Sequence, residues 1–313
     1  MKIYNSISQA EFSQPTIISV GNFDGMHIAH IKILEKMNEL KEKYNAEIII
    51  ISFPENPRNI ISPQQNNTPL LSSAAEKIAF LKEFGVDHLF LITNFYEFFS
   101  IAADIFVKDI LIEKCCAKGI VMGFNHRFGK NQQGNFKLIE DWCKPFHIDV
   151  CHLDPVYIGD QVVSSSAIRK YLLNYELENA FLLLGRRYQL KGTVVEGMKI
   201  GRTLGFPTAN IIPLEPLKLV PANGVYAVKI KVLNPEKWFL GMMNIGFRPT
   251  LAGFNKVLEV HIINFSEDLY GQVIEIEFYH FIRLEKKFKN LQELKEQLEK
   301  DQATVFDYFG VNK

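Results

Sequence analysis

Two histidines lie three residues apart just after a glycine-bracketed turn, in Gly21-Asn22-Phe23-Asp24-Gly25-Met26-His27-Ile28-Ala29-His30. Imidazoles at i and i+3 share one face of a helix's first turn. Glycines let the backbone close on a ligand, and the exposed amides of a helix start attract an anion. His27 and His30 can donate hydrogen bonds to phosphate oxygens without carrying a fixed charge. Gly21 and Gly25, with Phe23 and Asp24 between them, are expected to lie around the same phosphate chain. A bare HxxH is more often structural than catalytic, but a strand and glycine turn ahead of it favour phosphate. A zinc pair fits less well, because no third ligand follows at a usual spacing. The dinucleotide fingerprint GxGxxG is absent.

A second constellation is denser: GTVVEGMKIGRTLGFPTAN, Gly192 to Asn210. Gly192 and Gly197 have P-loop spacing, but Met198 and Lys199 replace the Lys-Ser/Thr pair and no strand-to-helix context follows, so a Walker site is rejected. Gly192, Gly197, Lys199, Gly201 and Arg202 still compose a loop able to wrap phosphate. On composition alone a glycine-rich barrel turn is an equal alternative. Thr208 and Asn210 offer a hydroxyl and an amide oxygen on one side of an extended segment. These are hard donors suited to Mg²⁺ shared with nucleotide phosphates.

Four stretches in the first half resemble, in order, the motifs of the bacterial FAD synthetases, the bifunctional riboflavin kinase/FMN adenylyltransferases. VGNFDGMHIAH is similar to GxFDGxHxGH, and SFPENPR to the flavin-side loop. GFNHRFGKNQQG is similar to GxDFRFGxxxxG, and VSSSAIRKYL to ISSTxIRxxL. In the second half GTVVEGMKIGRTLGFPTAN resembles the riboflavin kinase motif. The likeness continues through GVYAVKI, MNIGFRPT, LEVHIINF, DLYG and FIRLEKKF. Departures are Ala29 for the glycine of HxGH, Asn125-His126 for Asp-Phe, Asn56 where histidine is common, and Ser166 for threonine.

The resemblance implies phosphorylation of riboflavin to FMN and adenylylation of FMN to FAD with release of pyrophosphate. Both steps would use ATP with Mg²⁺ and need no permanently bound cofactor. It implies that His27 and His30 stabilise the ATP α-phosphate region. Ser164, Ser165 and Arg169 would face the remaining phosphates. Asn56, Phe124, Asn125, Arg127 and Phe128 lie on the flavin side, although either phenylalanine equally suits a core. Glu259 becomes the base that takes the flavin hydroxyl proton, whereas a lone strand glutamate more often pairs with a neighbour such as Lys256. Arg283 becomes a flavin- or phosphate-proximal contact. Two rivals stay open: a kinase with a degenerate first domain, and a flavin or nucleotide sensor without turnover.

These residues need positioning elements. Apolar runs at Thr16–Val20, Glu47–Phe53, His88–Ile92, Gly119–Gly123 and His147–Leu153 alternate with helical patterns over His27–Tyr44, Ser72–Phe84 and Ile101–Lys114. Such alternation predicts a Rossmann-like parallel sheet covered on both faces, with ligands at the strands' carboxyl ends. From Gly192 short β-type runs take over, as expected of an antiparallel barrel closed by a helix over LQELKEQLEKDQATVFDYF. The expected domains are 1–184, the adenylyltransferase, and 185–313, the riboflavin kinase.

Bulk properties agree with a two-domain enzyme of small molecules. The chain has 313 residues, 47% hydrophobic and 22% charged, and zero formal net charge. Neutral charge gives no general attraction to nucleic acid or anionic membrane, which also disfavours reading the barrel as an RNA-binding module. The start, MKIYNSISQAEFSQPT, has no signal-like apolar core, and no apolar run approaches a membrane span. Four cysteines without CxxC spacing suit reduced thiols, so a cytoplasmic location is expected. The sequence identifies no protein partner and leaves self-association open.

Overall fold

The computed structural model describes residues 1–57, 59, 68–124, 126–197, 200–233, 235–250 and 253–311; for 200, 248–250 and 253–255 it describes the backbone alone. Chain contacts divide it into two compact units, Met1–Ser165 and Ser166–Lys313.

The first unit is built on a six-stranded parallel sheet: β1 (Lys2–Tyr4), β2 (Thr16–Val20), β3 (Glu47–Ser52), β4 (His88–Leu91), β5 (Ala117–Met122) and β6 (Asp149–His152), in the order β1-β4-β3-β2-β5-β6. The short edge strand β1 carries too few residues to show a pattern in sequence. Alternate residues of the central strands enter opposite cores. Ile18, Ile49 and Ile51 pack with Phe106 and Leu111 on one face. Ile17, Ile48 and Ile50 pack on the other with Leu34 and Met37 of helix α1 (Ile28–Tyr44) and Leu81 of α2 (Ala74–Glu83). Both faces are covered, which is why these strands read as unbroken isoleucine runs. The helix expected over Ile101–Lys114 forms from Ala103, and its Phe106–Lys114 portion has widened, π-type turns. Helix α3 (Phe136–Cys143) precedes β6, and a small ribbon, β7 (Tyr157–Ile158) with β8 (Gln161–Val162), leads to α4 (Ser165–Leu173).

In the second unit α5 (Leu177–Leu184) precedes a closed antiparallel barrel. Its strands are β9 (Gln189–Val195), β10 (Ala209–Pro213), β11 (Gly224–Leu233), β12 (Glu236–Thr250), β13 (Gly253–Ile262) and β14 (Val273–Arg283), in the order β10-β13-β12-β11-β14-β9. The terminal helix α6 (Leu291–Phe309) packs Val305 against Ala227 and Met242. That cover explains a departure from simple alternation in β11, where Val225, Tyr226, Ala227 and Val228 are all buried. Among the described residues no helix is long and apolar enough to cross a membrane.

Candidate active sites

The turn between β2 and α1 is strained. Phe23, Gly25 and Met26 all have left-handed backbone, with φ of 50°, 83° and 42°. Only glycine adopts that region without cost, so the two L-residues must be held there. Burial of the Phe23 and Met26 side chains supplies one restraint. Asp24 supplies another: its buried carboxylate accepts the backbone N–H of Leu71 at 2.9 Å and of Ser72 at 3.0 Å. Ser72 Oγ in turn accepts the Gly25 N–H at 2.9 Å. Asp24, expected among the phosphate contacts, turns its carboxylate to these amides and so builds the turn. Gly21 donates its N–H to Ile51 O at 3.0 Å, anchoring the turn to β3.

His27 caps the start of α1 and His30 lies one turn on; their rings stack with centroids 3.7 Å apart. Phe23 tilts against His30 at 5.0 Å. Ser165, the first residue of α4, donates its hydroxyl to Asp24 O at 2.8 Å, while Ser164 immediately precedes that helix. Arg169 lies one turn beyond Ser165 on the same helix.

The flavin-side residues separate into two groups. Asn56 is half-buried beside the end of β3, where its carbonyl accepts the Asn59 N–H at 2.9 Å. Asn59, missed in the sequence reading, pins this loop by exchanging two hydrogen bonds with the Thr68 backbone. Phe124 and Arg127 are exposed, whereas Phe128 is buried in the core against Gly134, where a Cβ would fall 2.4 Å from its ring. Phe128 thus packs rather than presenting a face. Asn125 lies outside the described residues. Burial holds the neighbouring His126 imidazole well below its ordinary value.

In the barrel, Asn210 of β10 stands directly opposite Glu259 of β13, and Glu259 stands directly opposite Asn244 of β12. Three polar residues therefore cross adjacent strands in one row. Thr208, Asn244, Glu259 and His261 line a cavity of about 240 Å³ beneath α6. Lys256, the neighbour that could have paired with Glu259, instead donates to the carbonyls of Val220 and Pro221 at 3.2 and 3.0 Å. His261 is buried and its Nδ1 meets Pro207 O at 2.8 Å, so that nitrogen carries the hydrogen and the Phe206-Pro207-Thr208 turn is fixed. Desolvation lowers the His261 imidazole, which favours this neutral form.

The glycines of the second constellation do different work. A Cβ on Gly197 would fall 1.8 Å from Asn210 Nδ2, so the amide lies in the space glycine leaves. A Cβ on Gly201 would fall 2.2 Å from Phe206 O, closing the same turn. Arg202 is exposed on the short helix that follows, and Lys199 lies outside the described residues. Gly192, expected in the loop, instead sits within β9 opposite Pro213 and Ile274, where a Cβ would fall 2.4 Å from Ile211 Cγ2. Arg283 lines the cavity, yet its guanidinium is gripped by Asp301 of α6 through Nε at 2.9 Å and Nη2 at 2.7 Å. Asn244, His261 and Asp301 escaped the sequence reading because only pairing register and helix docking bring them to the cavity.

Residues 9–167 match the FAD synthetase family model and residues 184–309 the riboflavin kinase model. A bifunctional riboflavin kinase/FMN adenylyltransferase of Buchnera aphidicola subsp. Acyrthosiphon pisum is 36% identical, with 100% of each chain covered. The protein of that name from Escherichia coli K12 is 34% identical, covering 99% of this chain and 97% of its own. The chain belongs to the bifunctional riboflavin kinase/FMN adenylyltransferase family. It is an enzyme of flavin cofactor synthesis carrying both family domains. A crystal structure described as a macrolide-efflux protein from Streptococcus pneumoniae is similar over 97% of this chain and 98% of its own, with 28% identity and a TM-score of 0.88. Kinase and adenylyltransferase activities of this family use ATP, generally with a divalent metal.

Proposed function

We propose that residues 185–313 phosphorylate riboflavin to FMN and residues 1–184 adenylylate FMN to FAD, in the cytoplasm, each step taking Mg²⁺-ATP. The observation that carries the kinase half is the pairing of Asn210 with Glu259 across β10 and β13. Glu259 accepts the proton of the riboflavin 5′-hydroxyl as its oxygen bonds the γ-phosphorus and the bond to ADP breaks. Thr208 and Asn210 supply the oxygen donors for Mg²⁺, a fit supported by the amide cradle at Gly197. Bound there, the ion neutralises charge on the phosphates. Gly201, Arg202 and Lys199 complete the phosphate loop.

In the first unit an FMN phosphate oxygen bonds the ATP α-phosphorus and pyrophosphate leaves. His27 and His30 stabilise that centre on a turn shaped by Gly21 and Gly25, while Ser164, the backbone amide of Ser165 and Arg169 hold the departing phosphates. Asn56, Phe124, Asn125 and Arg127 border the flavin. The test is incubation of the purified chain with riboflavin, ATP and Mg²⁺, followed by chromatographic separation of riboflavin, FMN and FAD. Both FMN and FAD are expected; FMN alone would leave only the kinase, and no product would overturn both activities.

A further inference from the structure

Helix α2 carries one lysine on its core-facing stripe: Lys77 and Leu81, four residues apart, are both buried, with Lys77 only 2% exposed. A buried ammonium must be hydrogen-bonded to persist. Lys77 Nζ donates to Asn22 O at 2.6 Å, to Phe53 O at 2.5 Å and, more weakly, to Ser52 Oγ at 3.3 Å. Ser52 Oγ itself donates to Asn22 O at 3.1 Å. The acceptors are not scattered. Asn22 belongs to the strained turn that presents His27 and His30, and Phe53 begins the loop that carries Asn56. One cation thus ties together the carboxyl ends of β2 and β3. The Asp24 carboxylate, held by the residues just ahead of α2, favours the charged form of the lysine.

We propose that Lys77 is a positioning residue for adenylyl transfer, fixing the phosphate-side turn against the flavin-side loop through the Asn22 and Phe53 carbonyls. This rests on the adenylyltransferase reading of the first unit. A point charge with three donors suits the task, because two carbonyls and a hydroxyl converge from different segments. Lysine touches neither substrate in this arrangement; it sets the distance between the groups that do, and misplacement near 1 Å is costly in such a site.

The test compares the full-length parent with two variants: K77M, which keeps the stem without donors, and K77Q, which keeps a donor amide. FMN adenylylation and riboflavin phosphorylation are measured separately, and folding of the first unit is followed by Trp142 emission in a W238F background. In K77M the KM for FMN should rise roughly tenfold and kcat fall roughly tenfold, with K77Q intermediate and phosphorylation within about twofold of the parent. Destabilisation alone would lower kcat with the unfolded fraction and leave KM unchanged; that result, or parental kinetics in K77M, overturns the proposal. Should K77M fail to fold, K77Q is judged by the same two constants. A parent that makes no FAD overturns the functional reading instead.

Discussion

Arg283 at the end of β14 and Asp301 in the middle of α6 form a two-pronged ion pair, with Asp301 buried and Gln297 donating a further hydrogen bond to the carboxylate at 2.9 Å. The pair fastens the terminal helix over the cavity that holds Glu259. Removing one partner strands the other's charge in a half-dry site. D301A should therefore cost roughly 3 kcal/mol of second-unit stability. Urea unfolding followed by Trp238 in a W142F background checks it, and an unchanged midpoint would contradict the anchoring role.

The stacked histidines lead to a selective loss. H27A or H30A should lower FMN-to-FAD conversion by on the order of a hundredfold, the scale for one preorganised donor, while riboflavin phosphorylation is unchanged. Steady-state rates for the two reactions on the same preparation decide it. Parental FAD formation in both variants would remove these residues from the site.

The converse loss is expected in the barrel. E259Q keeps the shape of the side chain but is a poor proton acceptor, so FMN formation should fall by roughly a hundredfold or more. FAD formation from supplied FMN should persist. Matching kinase turnover in parent and variant would make Glu259 a structural member of its row.

Helices α4 and α5 bear on where an autonomous kinase begins. Leu177, Ala180, Phe181, Leu183 and Leu184 are buried, Arg187 lies over the Phe181 and Tyr279 rings, and Leu172 O accepts the Ala222 N–H at 3.2 Å. A fragment starting at Ser166 should fold and make FMN. One starting at Gly185 should melt lower, having exposed apolar surface that those helices cover. Equal melting temperatures by circular dichroism would show that the helix pair adds nothing.

Lys77 also predicts a pH dependence. Desolvation lowers its ammonium from 10.5 to about 8 in the folded chain, opposed by the nearby Asp24 carboxylate. Between those values the unfolded chain binds the extra proton, so stability rises as pH climbs from about 8 toward 10.5; below about 8 the penalty is constant. The rise attributable to this group is of order 3 kcal/mol. It should appear as a difference between parent and K77M in urea midpoints measured across that window; parallel curves would exclude it.

Local pattern was enough to place much of this molecule. The isoleucine runs of β2 and β3, the glycine turn before His27, and the shift to β-type segments after Gly192 each depend on near neighbours along the chain, so sequence alone determined the two architectures and the candidate residues. Tertiary structure decided what those residues touch. Asp24 turns inward because Leu71 and Ser72 bring amides to it from 47 and 48 residues away. Gly192 falls into a ladder because β10 returns against β9. Arg283 is gripped because α6 folds back over the barrel, and Lys77 reaches two loops because α2 crosses the sheet beside them. Periodicity reports which face of an element is buried. Which partner meets that face is set by strand register and helix docking, and these depend on contacts between segments distant in sequence.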